Sequence, residues 1–251
     1  MTQPKRTHTS DGRIFHIFET VNDLEDYALE LWTRACDASI RESGHFFAAL
    51  SGGNTPAGLY RKIASDPRPA QWNNTHLFLV DDRNVPLDHE SSNARMIRET
   101  IVSQIPMNES NFHYIQPDIT SPENAALNYE NHLKTFFALH GKQFPVFDLT
   151  LLGIGGDGHT ASLFPGSPSL SERSAFTAAS ISPVPPAERI TLTFPVINNS
   201  KQIVFIVTGK DKSHVIEHIA QSEKPDLPSG KILSPHEDVI FLLDESAGTL
   251  L

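Results

Sequence analysis

The stretch FDLTLLGIGGDGHTASLFP, residues 147–165, decides the fold class of this chain. It begins with an apolar, strand-like run, breaks at glycines, and then presents an Asp, a His, a Thr and a Ser within six positions. Parallel sheets of α/β proteins carry reactive side chains in this way, on loops at the carboxyl ends of their strands. We therefore predict a buried strand whose following loop lies at the centre of an active site.

Strand-like and helix-like segments alternate on both sides of that stretch. Predicted strands cover residues 13–18, 46–50, 76–80, 147–152, 175–179, 189–194, 202–207 and 239–243. Predicted helices cover 23–41, a segment that begins near Pro56, 92–104, 122–140 and 209–219. Short strands rich in Val, Ile, Leu and Phe that alternate with helices indicate a parallel sheet covered on both faces. The prediction is a single α/β domain over residues 1–251, with a doubly wound, mainly parallel sheet and helices on both faces.

Composition excludes several classes of function. The 251 residues are 39% apolar and 20% charged, as in an ordinary soluble globular protein. A net charge of −10 argues against a general nucleic-acid binder, and no run approaches the roughly 20 apolar residues of a membrane span. The single cysteine and the polar opening at residues 1–12 lead us to expect a cytoplasmic protein. The proline-rich patch at 182–186 is predicted to be a surface loop.

The glycines at 153–158 also fit G-x-G-x-x-G, the turn of a dinucleotide-binding site. Such a site needs a long helix after the last glycine and an acidic residue at the end of the next strand. Pro165 and Pro168 stop any long helix here, and the predicted strand at 175–179 ends without Asp or Glu. A dinucleotide site therefore remains an alternative, but both the long helix and the acidic residue that it needs are missing.

The turn between the strand at 46–50 and the following helix is a candidate phosphate site. Its members are Ser51, Gly52, Gly53, Asn54 and Thr55. Free backbone N–H groups and the positive end of a helix dipole can hold an anion, and glycines let the anion approach closely. The alternative is a plain tight turn in which Asn54 or Thr55 caps the helix.

Three cationic side chains are candidates for binding the same anion. Arg83 follows a predicted strand and can grip a phosphate through two parallel donors, unless it belongs to a solvated cluster of ion pairs with Asp81 and Asp82. Lys212 stands at the start of a predicted helix and Arg189 at the head of a predicted strand. Either is also compatible with an ordinary surface cation.

His159 is the candidate general base, because an imidazole after a glycine turn can titrate near neutral pH. Asp157 lies two residues away and can orient it; a purely structural hydrogen-bonding role is the alternative. The chain has 12 histidines and no H-E-x-x-H motif or cysteine pair, so we expect no metal. It has no G-x-S-x-G elbow, which favours activated water over a serine as the nucleophile.

These motifs resemble, in order and spacing, those of the 6-phosphogluconolactonases over nearly the whole chain. The matching segments are ALSGGNTP at 49–56, DDR at 81–83, SN at 92–93, the segment at 148–165, RITLT at 189–193 and GKDK at 209–212. The resemblance implies a fold shared with glucosamine-6-phosphate deaminases. It implies hydrolysis of 6-phospho-D-glucono-1,5-lactone to 6-phospho-D-gluconate in the oxidative pentose phosphate pathway. No metal or organic cofactor is implied, and no protein partner is indicated.

The same resemblance implies roles for the candidate residues. The turn at 52–55, Arg83 and Lys212 would hold the phosphate, while His159, oriented by Asp157, would take a proton from the attacking water. Arg189 and the backbone at 155–158 are candidates for stabilising the developing oxyanion. The family pattern has Ser and Glu where this chain has Asn54 and Asp82, which puts a direct role of Asp82 in doubt.

Two alternatives to the lactonase remain. One is a deaminase or sugar-phosphate isomerase, although those enzymes continue the D-G-H motif with A-F-N-E and this chain has Ala161-Ser162-Leu163-Phe164, without the acid. The other is a sugar-phosphate binder without turnover.

Overall fold

The computed structural model describes residues 2–65, 69–223 and 225–251. The strands are β1 (Arg6–Ser10), β2 (Arg13–Phe18), β3 (Phe46–Leu50), β4 (Thr75–Leu79), β5 (Asp81–Arg83), β6 (Phe112–His113), β7 (Leu149–Leu152), β8 (Thr177–Ile181), β9 (Glu188–Leu192), β10 (Gln202–Val207) and β11 (Val239–Asp244). The helices are α1 (Val21–Ser43), α2 (Asn54–Ala64), α3 (Asn93–Thr100), α4 (Pro122–Leu139), α5 (Phe194–Asn198) and α6 (Ser213–Gln221).

The main sheet has eight strands in the order β1-β2-β11-β10-β7-β3-β4-β6. All neighbouring pairs are parallel except β1 with β2. Every residue of β3 and β7 is buried, so the centre of the sheet is covered on both faces. The predicted doubly wound, mainly parallel α/β fold is confirmed.

The direction of winding reverses between β3 and β7. After β3 the chain adds β4 and β6 on one side, whereas β7 pairs with the other edge of β3 and is followed outward by β10 and β11. Ligands of open α/β sheets bind at such a reversal, outside the carboxyl ends of the strands. The two loops that flank it are those after β3 and after β7, both predicted to carry site residues.

A second, antiparallel sheet of order β5-β9-β8 was not predicted. The chain leaves the main sheet after β4, and Val80 bridges both sheets: its N–H donates to Leu50 and its carbonyl accepts from Leu192. Residues 81–83 are therefore a separate short strand rather than the end of β4. The predicted strands at 175–179 and 189–194 also belong to this second sheet, with bounds of 177–181 and 188–192.

Most other predicted elements are confirmed with shifted ends. The helix predicted over 92–104 ends at Thr100, and the helix predicted from Gly209 begins at Ser213, after a short 3-10 turn. Strand β1 was not predicted, because all five of its residues are polar and give no apolar face. No α-helix lies between Gly158 and Phe194, so the helix that a dinucleotide site requires is missing. None of the described helices is both long and apolar enough to cross a membrane.

Candidate active site

A cleft of about 440 Å³ opens at the carboxyl ends of the central strands. It is lined by loops after β3, β7 and β10 and by residues of the second sheet. Every predicted site residue lines it: Ser51, Gly52, Gly53, Asn54, Thr55, Arg83, Asp157, His159, Arg189 and Lys212. The fold thus brings the whole predicted set together from five separate segments of the chain.

His159 and Asp157 are in direct contact in the loop after β7. Nδ1 of the imidazole lies 2.6 Å from Oδ1 of Asp157, which also accepts the backbone N–H of His159 at 3.1 Å. Burial raises the pKa of Asp157, but the hydrogen bonds from His159 lower it more, and the net pKa is below its usual value. A charged Asp157 accepts a hydrogen bond from the Nδ1–H of His159. Nε2 of His159 then carries no proton and can act as the base.

Glycine is required at position 155 for this arrangement. A Cβ on Gly155 would lie 2.1 Å from Nδ1 of His159 and 2.7 Å from Oδ1 of Asp157. The backbone N–H of Gly155 also donates to the carbonyl of His159 at 2.9 Å, which closes the loop. Gly155 therefore makes room for the His–Asp pair.

The turn after β3 brings the start of α2 to the cleft. No side chain caps this helix, and the Ncap residue is Gly53 with φ +104°, so the alternative in which Asn54 or Thr55 caps the helix does not hold. A Cβ on Gly52 would lie 1.8 Å from Oδ1 of Asn93, the residue that follows the N-cap of α3. The turn therefore offers backbone N–H donors and the positive end of the helix dipole to an anion, as expected of a helix start that binds phosphate.

Arg83 and Arg189 are paired neighbours on β5 and β9. Arg83 donates to the carbonyl of Ser91 at 2.6 Å and Arg189 to the hydroxyl of Ser182 at 3.4 Å; neither pairs with a carboxylate among the described residues. Nε of each guanidinium is buried without a partner. Burial, and then the charge of Arg83, lower the pKa of Arg189. Two adjacent cations with unused donors make a site for an anion.

Lys212 approaches the cleft from the loop after β10. Its ammonium lies 2.8 Å from Oδ2 of Asp211 and 3.8 Å from the position of a Cβ on Gly156. On the same side, the hydroxyls of Thr55 and Thr208 are 3.4 Å apart, so the start of α2 lies beside the end of β10. Lys212 is therefore placed to share an anion with the helix start.

Asp82 does not line the cleft, which bears on the doubt about its role. It is 2% exposed, and its carboxylate accepts the backbone N–H groups of Arg83 (2.7 Å), Asn93 (2.7 Å) and Ala94 (2.9 Å). The hydroxyl of Ser92 also donates to the Asp82 carboxylate, at 3.3 Å. Asp82 therefore joins β5 to the start of α3 and positions Arg83 through the backbone.

We expect Asp82→Ala to lower the free energy of unfolding by about 2–3 kcal/mol, because it strands buried N–H donors at a helix start. Burial raises the pKa of Asp82 to about 6 despite those hydrogen bonds. The folded state therefore holds the proton more tightly than the unfolded state, and the stabilisation by Asp82 falls as the pH rises through 6. The loss in the variant should be larger at pH 5 than at pH 7.5.

Urea unfolding at the two pH values measures this effect, with exposed Asp88→Ala as the matched control. An Asp82→Ala variant as stable as Asp88→Ala would contradict the structural role.

The cleft residues that were given no role from the sequence include Asp81, Asn93 and Ser162, which are linked to one another. Ser162 donates to Oδ2 of Asp81 at 2.6 Å, and the amide of Asn93 donates to the carbonyl of Asp81 at 2.9 Å. All three lie within the motifs at 81–83, 92–93 and 148–165. Their presence in these motifs is the sequence feature that could have identified them as site residues. The proline-rich patch is a loop, as predicted, and its residues 182–184 form one wall of the cleft.

Known proteins are similar to this chain over most of its length. A family model described as "Glucosamine-6-phosphate isomerases/6-phosphogluconolactonase" matches residues 19–241. A 6-phosphogluconolactonase of Synechocystis is 39% identical over 226 residues, covering 90% of this chain and 92% of its own. The structure of a Trypanosoma cruzi 6-phosphogluconolactonase has a TM-score of 0.84 at 28% identity, covering 97% of this chain and 98% of its own. A monomeric glucosamine-6-phosphate deaminase, at 21% identity and a TM-score of 0.75 over 94% of this chain and 99% of its own, shares the fold.

Proposed function

The chain belongs to the family of glucosamine-6-phosphate isomerases and 6-phosphogluconolactonases, and from that premise we propose that it hydrolyses 6-phospho-D-glucono-1,5-lactone to 6-phospho-D-gluconate. It is thus a carboxylic ester hydrolase of the oxidative pentose phosphate pathway. The observation that carries the proposal is the meeting of a His–Asp pair and three cations in one cleft.

The substrate phosphate is held by the helix start at 52–55, by Arg83 and by Lys212. The unpartnered Nε of Arg83 and the uncapped start of α2 support this assignment, since each offers N–H donors to an anion and neither is paired with a carboxylate among the described residues. The overall charge of −10 repels anions, so these local donors must supply the binding.

His159 acts as the general base of the reaction. Nε2 takes a proton from water as the water oxygen attacks C1 of the lactone, and Asp157 stabilises the imidazolium that forms. Arg189 and the backbone N–H groups of residues 156 and 157 stabilise the negative charge on the carbonyl oxygen, since the N–H groups of Gly155 and Gly158 already donate to carbonyls within the loop. Collapse of the tetrahedral intermediate breaks the C1–O5 bond, and the imidazolium returns its proton to O5. No step requires a metal or organic cofactor.

A panel of substrates tests the reaction class. We expect fast acid release from freshly made 6-phosphogluconolactone, slower release from glucono-1,5-lactone, and no ammonia release from glucosamine 6-phosphate. Ammonia release would support the deaminase alternative, which the apolar continuation at 163–164 disfavours. Binding of 6-phosphogluconate without turnover of any substrate would support the non-catalytic binder.

Lys212→Ala should raise KM for the phosphorylated lactone by about 10-fold with kcat nearly unchanged, because a point charge on the phosphate acts equally in the ground and transition states. Steady-state acid release measures both constants. The matched control is Lys210→Ala, which removes an exposed lysine from the same turn. Equal KM values for the two variants would contradict the role of Lys212.

The remaining features of the proposal rest on sequence. We propose that the chain acts as a single domain in the cytoplasm on a small sugar-phosphate lactone, without nucleic acid or membrane partners. The charge and composition given above support it.

A further inference from the structure

A cluster of histidines lies at the edge of the main sheet opposite to the cleft. His45 directly precedes β3, whose far end leads into the cleft, and His76 lies in the first half of β4. His140 follows the last residue of α4. Two further histidines lie behind these three: His113 in β6 and His132 on α4. This group takes no part in the proposed reaction.

The three outer histidines have the spacing of metal ligands. One ring nitrogen from each of His45, His76 and His140 can be chosen so that all lie within 4.8 Å of one another. Their ring centroids are 5.0 Å (His45–His140), 5.7 Å (His45–His76) and 5.9 Å (His76–His140) apart. Three imidazoles on one tetrahedral ion, with metal–nitrogen bonds of about 2.0–2.1 Å, would have centroids about 5 Å apart. Small side-chain movements would therefore complete a site.

Hydrogen bonds behind two of the three rings, those of His76 and His140, hold these rings from outside the cluster. Nδ1 of His140 lies 2.8 Å from the carbonyl of Phe136, so it carries the proton and leaves Nε2 as the ligand atom. Nδ1 of His76 is 3.1 Å from Nε2 of His113, whose Nδ1 is 2.8 Å from Nε2 of His132. That chain holds the His76 ring from behind, as a second layer of hydrogen bonds does at metal sites.

His45 supplies an independent sign of a missing ligand. Its Nδ1 is buried and has no hydrogen-bond partner among the described residues, although buried polar atoms are nearly always satisfied.

We propose that His45, His76 and His140 form a binding site for a divalent transition metal ion of the Zn²⁺ type, with water as the fourth ligand. Imidazole is a preferred ligand of Zn²⁺, and a three-histidine set with one open position is a known zinc geometry. The ion would tie the end of α4 to β3 and β4. The ligands come from positions 45, 76 and 140, so no sequence motif reveals them.

Titration of the chelator-treated full-length protein with Zn²⁺ tests the site, with a fluorescent zinc indicator as competitor. We expect one tight site per chain and a rise in Tm on binding. His45→Ala and His140→Ala should each weaken that site by about 10-fold or more, since each removes one of three ligands. Both positions lie outside the strands and helices, and circular dichroism checks that the variants are folded.

Two controls separate this site from other histidines. His214→Ala removes an imidazole whose side chain is 87% exposed, and His159→Ala removes the histidine of the cleft. Neither should change the tight site. Absence of a tight site, or one that survives in the His45 and His140 variants, would overturn the proposal. So would a site that is lost only in His159→Ala.

Discussion

Replacing His159 with Ala is expected to lower kcat by about 10²-fold to 10⁴-fold, the usual contribution of a positioned general base. The reason is geometric: Asp157 holds Nδ1 at 2.6 Å, so that Nε2 of His159 is the free nitrogen of the pair. Without the imidazole, water must lose its proton to solvent. KM should change little, because His159 contributes nothing to the phosphate site.

Initial rates of acid release, corrected for spontaneous opening, measure this effect. Asp157→Asn is the companion variant: it keeps the shape but loses the charge that stabilises the imidazolium, and its amide can donate to Nδ1 and hold the wrong tautomer, so we expect a fall in kcat of similar size. His214→Ala, an exposed histidine far along the chain, should behave as wild type. Turnover near the wild-type value in His159→Ala would contradict the general-base role.

Replacing Arg83 with Met should lower kcat/KM for the phosphorylated lactone by about 10²-fold, or roughly 2.7 kcal/mol of transition-state stabilisation. Met keeps an unbranched stem of similar length but removes the donors, including the buried Nε that has no partner in the protein. Arg83→Lys should recover only part of the loss, because a lysine cannot form two parallel hydrogen bonds.

The comparison with glucono-1,5-lactone separates binding of the phosphate from damage to the fold. We expect kcat/KM for this unphosphorylated substrate to stay within about twofold of wild type, since only the phosphate uses Arg83. Arg95→Ala, which removes a surface arginine paired with Glu99, is the matched control. A parallel loss on both lactones would show that Arg83 acts on something other than the phosphate.

The main sheet could be predicted from the sequence because its central strands are continuous apolar runs. Phe46–Leu50 and Gln202–Val207 occur in the structure with the predicted bounds, and 239–243 falls one residue short of the β11 end. The candidate residues could be grouped because the carboxyl ends of parallel strands share one edge. That rule needs only the positions of the strands, not their order.

The second sheet could not be predicted in the same way. Asp81–Arg83 is three residues long and follows β4 after a single residue, so no periodicity separates it from β4. Only its pairing with Glu188–Leu192 places Arg83 beside Arg189. The role of Asp82 has the same origin, because its donors at 93 and 94 become neighbours through the fold. Long-range pairing of this kind leaves no local pattern in the sequence.

The most direct test of the central claim is the rate at which the wild-type chain opens freshly made 6-phosphogluconolactone in the presence of a chelator, followed as acid release. The account predicts opening far above the spontaneous rate and saturable in the lactone. Opening no faster than the blank, by folded protein, would contradict the assignment of lactone hydrolysis to this cleft.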